Sequence, residues 1–150
     1  MKFLKLGLIS LVAFAILITL FSLFFPSRVR ISKAIDINAG REMVLAQLQD
    51  TANWKNWYPG ADSATSLPVI TAITDSSVTA LTITNNGRKG ITGWNVMNTT
   101  YPGTVTVQWY MDFRLRWYPW EKFSGLLFEK RYGPVMEKGL ENLKNIFIAQ

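Results

Sequence analysis

The stretch TVTVQWYMDFRLRW, residues 104–117, decides the fold class of this chain. Its odd positions, from Val105 to Trp117, are all apolar or aromatic, whereas its even positions carry hydroxyl, amide or charged side chains. Successive side chains of a strand point to opposite faces, so a period of two predicts a strand with one apolar and one solvated face. The apolar face of the sheet must then be covered by another element.

The carboxy-terminal part of the chain supplies that cover. A helical stripe is predicted there, because apolar residues recur at spacings of four and three. The stripe consists of Met136, Leu140, Leu143 and Phe147. Gly133 and Pro134 predict a kink or a break before it, since proline removes a helical hydrogen bond. A first helical piece, before this break, carries Phe123, Leu126 and Leu127.

Four more segments have the alternation or the β-branched composition of strands. They are Val29 to Ile37, Leu67 to Thr74, Val78 to Thr84 and Ile91 to Met97. Lys33 is out of phase in the first of them. Asn85, Asn86 and Gly87 provide the positive-φ residues that a tight hairpin turn requires, so an antiparallel meander is expected.

Two short helical segments are predicted between the first strand and the meander. Asn38 is the predicted N-cap of a helix that ends near Asp50. The apolar face of this helix is formed by Met43, Val44 and Leu48. Trp54 and Trp57 are three residues apart, which places them on one side of a further helical turn.

Residues Leu6 to Phe25 form a predicted membrane anchor. These twenty positions carry no charge and are followed by Pro26. At ~1.5 Å per residue they span ~30 Å, the thickness of the hydrocarbon layer, whereas a signal-peptide core has about 7 to 15 residues. No small residues precede a cleavage point, so we expect a single-pass membrane protein that keeps an anchor (1–28) ahead of one domain (29–150).

The charge of the chain is concentrated beside that anchor. Residues 1–33 hold five of the 16 basic residues and none of the 10 acidic ones, which leaves 11 and 10 for the rest. The chain from residue 34 onward is therefore nearly neutral, and nucleic-acid binding is not expected. Lys2 and Lys5 nearly balance Arg28, Arg30 and Lys33 across the anchor. We expect the domain outside the cytoplasm, because the chain begins like a signal anchor, and the cytoplasmic orientation stays open.

The residue types present favour binding over catalysis. The chain has no His and no Cys, which removes the commonest general base, the commonest metal ligand and the thiolate nucleophile. The sequence also contains neither a Gly-x-Ser-x-Gly elbow nor a phosphate-binding glycine loop. We therefore expect no catalytic residues, no metal site and no cofactor.

Several of these segments together resemble a known superfamily. They are Ser32 to Ala39, Asp50 with Trp54, Trp57 and Pro59, and Trp109 to Lys144, which includes Tyr-Pro-Trp at 118–120 and Glu-Lys-Gly-Leu-Glu-Asn-Leu-Lys at 137–144. The order of elements and these residues resemble membrane-anchored members of the polyketide cyclase and lipid-transfer (SRPBCC) superfamily related to START and Bet v 1 domains. The resemblance implies an α+β helix-grip fold, in which a curved antiparallel sheet wraps a long carboxy-terminal helix and leaves an apolar cavity. The chain departs from that pattern in having Gly40 in place of proline and a short stretch from Gly60 to Gly103.

Ten apolar residues are the predicted lining of this cavity. They are Trp54, Trp57, Trp94, Trp109, Met111, Phe113, Trp117, Phe123, Met136 and Leu140. The same aromatics could instead be core packing, or Trp57, Tyr58, Tyr118 and Trp120 could form a belt at the membrane interface. The predicted function is a membrane-tethered, non-catalytic domain for a small hydrophobic or lipid-like ligand. The alternatives are a tethered protein-interaction module with a filled core and, third, a cyclase-like enzyme.

Overall fold

Five antiparallel strands form one sheet in the computed structural model, which describes residues 2–61, 67–83, 87 and 89–148. The strands are β1 (Arg28–Ile37), β2 (Val69–Ile73), β3 (Ser77–Ile83), β4 (Lys89–Asn98) and β5 (Val105–Arg114). Their order in the sheet is β1-β5-β4-β3-β2, so the meander from β2 to β5 is closed by β1 at its far edge. The predicted hairpin residues Asn85 and Asn86 lie outside the described residues, as does Thr84 at the end of the predicted third strand.

One helix precedes the sheet, and helices that follow β1 and β5 cover one face of the sheet. The apolar helix α1 (Lys2–Ser22) comes first, and α2 (Arg41–Gln49) and a 3-10 helix (Thr51–Asn56) follow β1. After β5 come α3 (Pro119–Gly125) and the long α4 (Phe128–Ile148). Helix α4 packs chiefly along β1, while α2 packs on β4 and β3. This is the predicted α+β helix-grip arrangement.

The alternation in β5 matches the prediction as far as Leu115. The odd residues from Val105 to Leu115 are buried, and the even residues are half-buried or exposed. Trp117 was predicted on the buried face, but its side chain is 62% exposed. The strand ends at Arg114, and Tyr118 adopts an extended conformation ahead of Pro119, the first residue of α3. The period of two therefore no longer determines which way Trp117 points.

The out-of-phase Lys33 has a structural explanation. Its position on β1 points toward α4, where its ammonium lies 2.8 Å from Glu129 Oε1 and 2.9 Å from Glu137 Oε1. The hydrogen bonds to Glu129 and then Glu137 raise the pKa of Lys33 above its ordinary value. Lys33 therefore joins the edge strand to the long helix at a position where an apolar residue would fit the alternation.

Two predictions about helix ends were wrong. Gly40, and not Asn38, is the N-cap of α2, and the Asn38 side chain accepts a hydrogen bond from Thr104 Oγ1 at 3.1 Å. The interruption before the carboxy-terminal helix falls at residues 126–127, so α4 runs unbroken through Pro134. Gly133 has no Cβ to clash with the proline ring, and the exposed side of the helix leaves the freed carbonyl to water.

Candidate functional site

Five aromatic side chains meet beneath α4 and form what we call the aromatic cluster. Its members are Trp54, Trp57, Tyr58, Trp94 and Trp109. Neighbouring ring centroids lie 5.1 to 6.3 Å apart, for example 5.1 Å between Trp54 and Trp94. Such separations are those of directly contacting aromatic pairs. The four tryptophans are essentially inaccessible to solvent, whereas Tyr58 is only partly buried.

The backbone brings these rings together from two directions. Trp94 on β4 and Trp109 on β5 are cross-strand partners on the covered face of the sheet. Trp54 in the 3-10 helix and Trp57 at its C-cap pack onto them. Asp50 caps the start of this helix, because its carboxylate accepts a hydrogen bond from the Ala52 N–H at 2.9 Å. The predicted one-sided placement of the Trp-x-x-Trp pair is confirmed by this packing.

Three of the four indole N–H groups in the cluster donate hydrogen bonds, and the fourth has no acceptor among the described residues. Trp109 Nε1 donates to Thr92 Oγ1 at 2.7 Å, and Trp54 Nε1 donates to the Leu48 carbonyl at 2.9 Å. Trp57 Nε1 donates to the Gln47 carbonyl at 3.4 Å. Buried Trp94 Nε1 has no acceptor among the residues that the structure describes. A buried N–H without an acceptor typically costs about 1–3 kcal/mol, so it marks a place where a bound molecule could supply one.

Helix α4 closes over the cluster from above. Met136 and Leu140 are buried on its inner face, as predicted from the stripe. Between these two residues, Gly139 lies so close to its neighbours that an added Cβ would be 2.6 Å from Trp109 Cζ3 and 2.8 Å from Pro59 Cδ. The indole of Trp109 therefore fills the space between β5 and the middle of α4.

The other predicted lining residues divide into two groups. Met111 and Phe113 are buried further along β5, and the Phe113 ring lies 5.0 Å from the rings of both Phe128 and Tyr132. Trp117 and Phe123 lie elsewhere, because Trp117 is exposed beyond the strand and Phe123, 38% exposed, contacts Phe25 at 5.5 Å. The structure thus brings eight of the ten predicted residues into the core under α4, leaves Trp117 exposed and places Phe123 beside Phe25.

The interfacial belt is wrong for Trp57, whereas Tyr58 and Tyr118 are both half-buried and Trp120 is exposed. Trp57 is buried in the cluster, and burial of Tyr58 raises the pKa of its hydroxyl to about 12. Tyr118 and Trp120 do lie at the surface, with parallel rings 4.9 Å apart. The residue types alone do not tell which of these four side chains are buried, since all four are amphipathic aromatics beside prolines or turns.

A lysine that sequence reasoning missed connects the domain to the segment after α1. Lys122 on α3 is buried, and its ammonium donates to the Phe25 carbonyl at 2.8 Å and to Ser27 Oγ at 2.7 Å. The Ser27 carbonyl in turn accepts from the Leu115 N–H at 2.8 Å. The connection between α1 and β1 is therefore held against the domain.

Helix α1 itself is long and apolar. Its most apolar window has a mean hydropathy of 2.4 and none of it is buried, so the helix is able to cross a bilayer by length and composition. It ends at Ser22, three residues before the predicted end at Phe25. Signal sequences satisfy the same length and hydropathy criteria. The anchor therefore remains a proposal.

Comparison with known proteins supports the fold. No protein-family model matches the chain, and no curated protein matches it. Among solved structures, the protein XoxI from Bacillus cereus is 12% identical, with a TM-score of 0.58 over 80% of this chain and 96% of that one. A START superfamily protein from Mycobacterium smegmatis is 14% identical, with a TM-score of 0.51 over 81% and 98% of the two chains. The di-domain ARO/CYC protein StfQ from the steffimycin biosynthetic pathway is 7% identical, with a TM-score of 0.52 over 81% of this chain and 52% of that protein.

The fold of this chain is that of START and ARO/CYC domains. At such low identity the likeness establishes the fold alone. It agrees with the sheet order, the long carboxy-terminal helix and the covered aromatic face described above. The likeness does not assign the ligand of any of these proteins to this chain.

Proposed function

We propose that this protein is a membrane-tethered, non-catalytic domain that binds a small hydrophobic or lipid-like ligand within the aromatic cluster. The observation that carries the proposal is the N–H of buried Trp94, which finds no acceptor among the described residues and lies amid apolar ring faces. Apolar sites with a few polar groups that orient the ligand are the usual form of small-molecule sites. The ligand that fits is an apolar molecule with one hydrogen-bond acceptor, such as a carbonyl or hydroxyl oxygen.

Tyr58 is the expected point of access to the cluster. It is the one cluster member whose side chain reaches solvent, and its ring contacts Trp54 at 5.5 Å and Trp109 at 5.4 Å. Because the rings contact each other directly, a ligand has to displace at least one of them. Movement of Tyr58 opens the cluster without unfolding the 3-10 helix that carries Trp54.

The membrane part of the proposal is that α1 stays on the mature protein and spans the bilayer, with the domain outside the cytoplasm. Its support is the length and apolarity of α1, and the Lys122 hydrogen bonds that hold the following residues to the domain. A tether of this kind keeps the domain beside a reservoir of lipid-like molecules.

A second candidate is a tethered protein-interaction module with a filled core. The specific observation in its favour is the contact of Trp109 with the Gly139 backbone, which fills the centre of the expected cavity. Such a module would hold a partner through its solvated sheet face or its exposed aromatics.

A binding titration separates the two candidates. A fragment of residues 27–150, which keeps Ser27, is titrated with a brominated fatty acid while tryptophan fluorescence is followed. The first candidate predicts quenching with micromolar affinity, about −8 kcal/mol. Replacing Trp94 by Phe keeps a smaller aromatic ring but removes the donor, and should weaken binding by about 1 kcal/mol, or roughly fivefold.

Two further variants control that experiment. Trp120→Phe removes an exposed indole and should leave the affinity unchanged, because Trp120 lies outside the cluster. Met136→Lys places a charge at a buried position of α4 and should abolish binding. Absence of saturable quenching in a folded fragment would favour the interaction module.

A further inference from the structure

A groove lined by basic side chains lies on the solvated face of the sheet, at the end where the chain leaves α1. It has a volume of about 400 Å³, and Leu81 and Ile91 contribute apolar surface to it. We call it the basic groove and define it by four residues, Arg28, Arg30, Lys89 and Arg114. They converge because β1 begins at Arg28, β4 begins at Lys89 and β5 ends at Arg114.

The charge of the groove is unbalanced. Asp112, the acidic residue among those that line it, is engaged with Arg30 through two hydrogen bonds of 2.6 Å. Arg28, Lys89 and Arg114 form no ion pair with any residue that the structure describes. Arg28 and Arg114 are moreover direct cross-strand partners, and like charges in that position repel each other. A bound anion would relieve this repulsion.

An apolar cavity continues from the groove toward α1. It has a volume of about 310 Å³ and shares Arg28 and Arg30 with the groove. Its other lining is apolar at Phe25, Leu115 and Leu126 and includes Lys122, whose ammonium is bonded to the Phe25 carbonyl and Ser27 Oγ. Cationic groups and an apolar space therefore adjoin one another at the junction of anchor and domain. This is the combination that a molecule with an anionic head and a hydrocarbon chain requires.

We propose that this junction binds one anionic phospholipid of the membrane that α1 spans. The phosphate is held by Arg28, Lys89 and Arg114, and the first part of an acyl chain enters the cavity beside Phe25. Arginine and lysine are the side chains that bind phosphate most strongly. Only residues 23–27 separate α1 from β1, and Lys122 fixes two of them, which keeps the groove at the level of the headgroups. The inference rests on the membrane-spanning part of the proposed function and is independent of the aromatic cluster.

The test uses the full chain purified in a non-ionic detergent. Equal amounts of phosphatidylglycerol and phosphatidylcholine are added, and retained lipids are counted by native mass spectrometry. The expected result is preferential retention of one phosphatidylglycerol. The Arg28→Gln/Arg114→Gln variant should lose about fivefold in that preference for each charge removed. Asp112→Asn frees Arg30 and should strengthen the preference instead.

The controls separate this site from a general effect of positive charge. Lys138→Gln removes one basic residue on the exposed side of α4, so the lipid preference should not change. Lys89→Gln tests the groove with a single substitution should the double variant unfold. Equal retention of the two lipids by the wild-type chain, or unchanged retention in the groove variants, would overturn the proposal.

Two further arms distinguish the origin of the anion and the role of α1. Release of phosphatidylglycerol by an excess of inorganic phosphate would show a site for free phosphate and overturn the assignment to a lipid. Carbonate extraction of membranes tests whether α1 spans. If carbonate releases the chain, the membrane-spanning proposal is wrong. The inference that the lipid comes from the membrane around α1 is then also wrong, whatever number of lipids is retained in detergent.

Discussion

Replacement of Gly139 by alanine tests whether the interior beneath α4 is filled. Gly139 lies on the buried side of the helix, between Met136 and Asn142. In an exposed helix the change would stabilise the protein by about 1 kcal/mol, because glycine has the lower helix propensity. At this position the new methyl group would lie 2.6 Å from Trp109 Cζ3 and 2.8 Å from Pro59 Cδ.

The steric cost exceeds the gain in helix propensity. Carbon atoms in contact are normally about 3.5–4.0 Å apart, so two rings have to move by roughly 1 Å each. Overpacking of this kind typically costs about 1–3 kcal/mol. Both clashing groups are rigid, and Trp109 is also held by its hydrogen bond to Thr92. Taking the upper half of that range, we expect a net loss of about 1–2 kcal/mol.

Urea unfolding of the fragment 27–150, followed by circular dichroism, measures this difference. Asn145→Ala is the matched control, since it raises helix propensity at an exposed position of α4 and should stabilise the fragment by a few tenths of a kcal/mol. Stabilisation by Gly139→Ala would refute the packing of Trp109 against the helix. It would then indicate open space beneath α4, which a ligand could enter without displacing a ring.

Four other features of the structure can be tested by single changes. Phe113→Ala should cost about 3–5 kcal/mol of unfolding free energy, whereas Asp112→Ala should stay within about 0.5 kcal/mol because its ion pair is largely exposed; equal losses in urea titrations would mean a misassigned register. Thr92→Val leaves the indole N–H of Trp109 without an acceptor and should lower the unfolding free energy by about 1–3 kcal/mol in the same assay. Burial raises the pKa of Tyr58 from 10.0 to about 12, so folding stability should be unaffected below about pH 10 and fall as the pH rises toward 12; Tyr58→Phe should remove this loss in alkaline unfolding curves. The full chain should resist carbonate extraction from membranes, and deletion of α1 should make it soluble; release by carbonate would contradict a spanning helix.

Local periodicity explains why most of the fold was predictable. The alternation in β5 and the stripe of Met136, Leu140 and Leu143 each reflect which face of one element is buried, and both were confirmed. Trp117 was misplaced because the alternation continues in the sequence after the strand has ended. Of the kink or break expected at Pro134, the break does not occur, since the preceding glycine and the exposed side of the helix lower the cost of proline there.

Contacts between distant segments were not predictable in this way. Lys122 is bonded to Phe25, 97 residues away, and nothing in its own neighbourhood distinguishes it from an exposed lysine. The basic groove likewise depends on the register of β1 against β5, which brings Arg28 opposite Arg114. The sequence showed the basic residues after the anchor, but not the two that the other strands add to them.

The two proposed sites lie on opposite faces of the same strands, and this makes them experimentally separable. Met111 of β5 points into the core, and Phe113 is buried there although it also lines the groove, while Asp112 and Arg114 point to the groove. A substitution at an even position therefore changes the charge of the groove without altering the volume of the core. If Arg114→Gln lowers the lipid preference about fivefold while fatty-acid binding is unchanged, and Trp94→Phe weakens fatty-acid binding about fivefold while the lipid preference is unchanged, the domain has one site for the membrane and another for its ligand. Joint loss in either variant would show instead that one molecule occupies both.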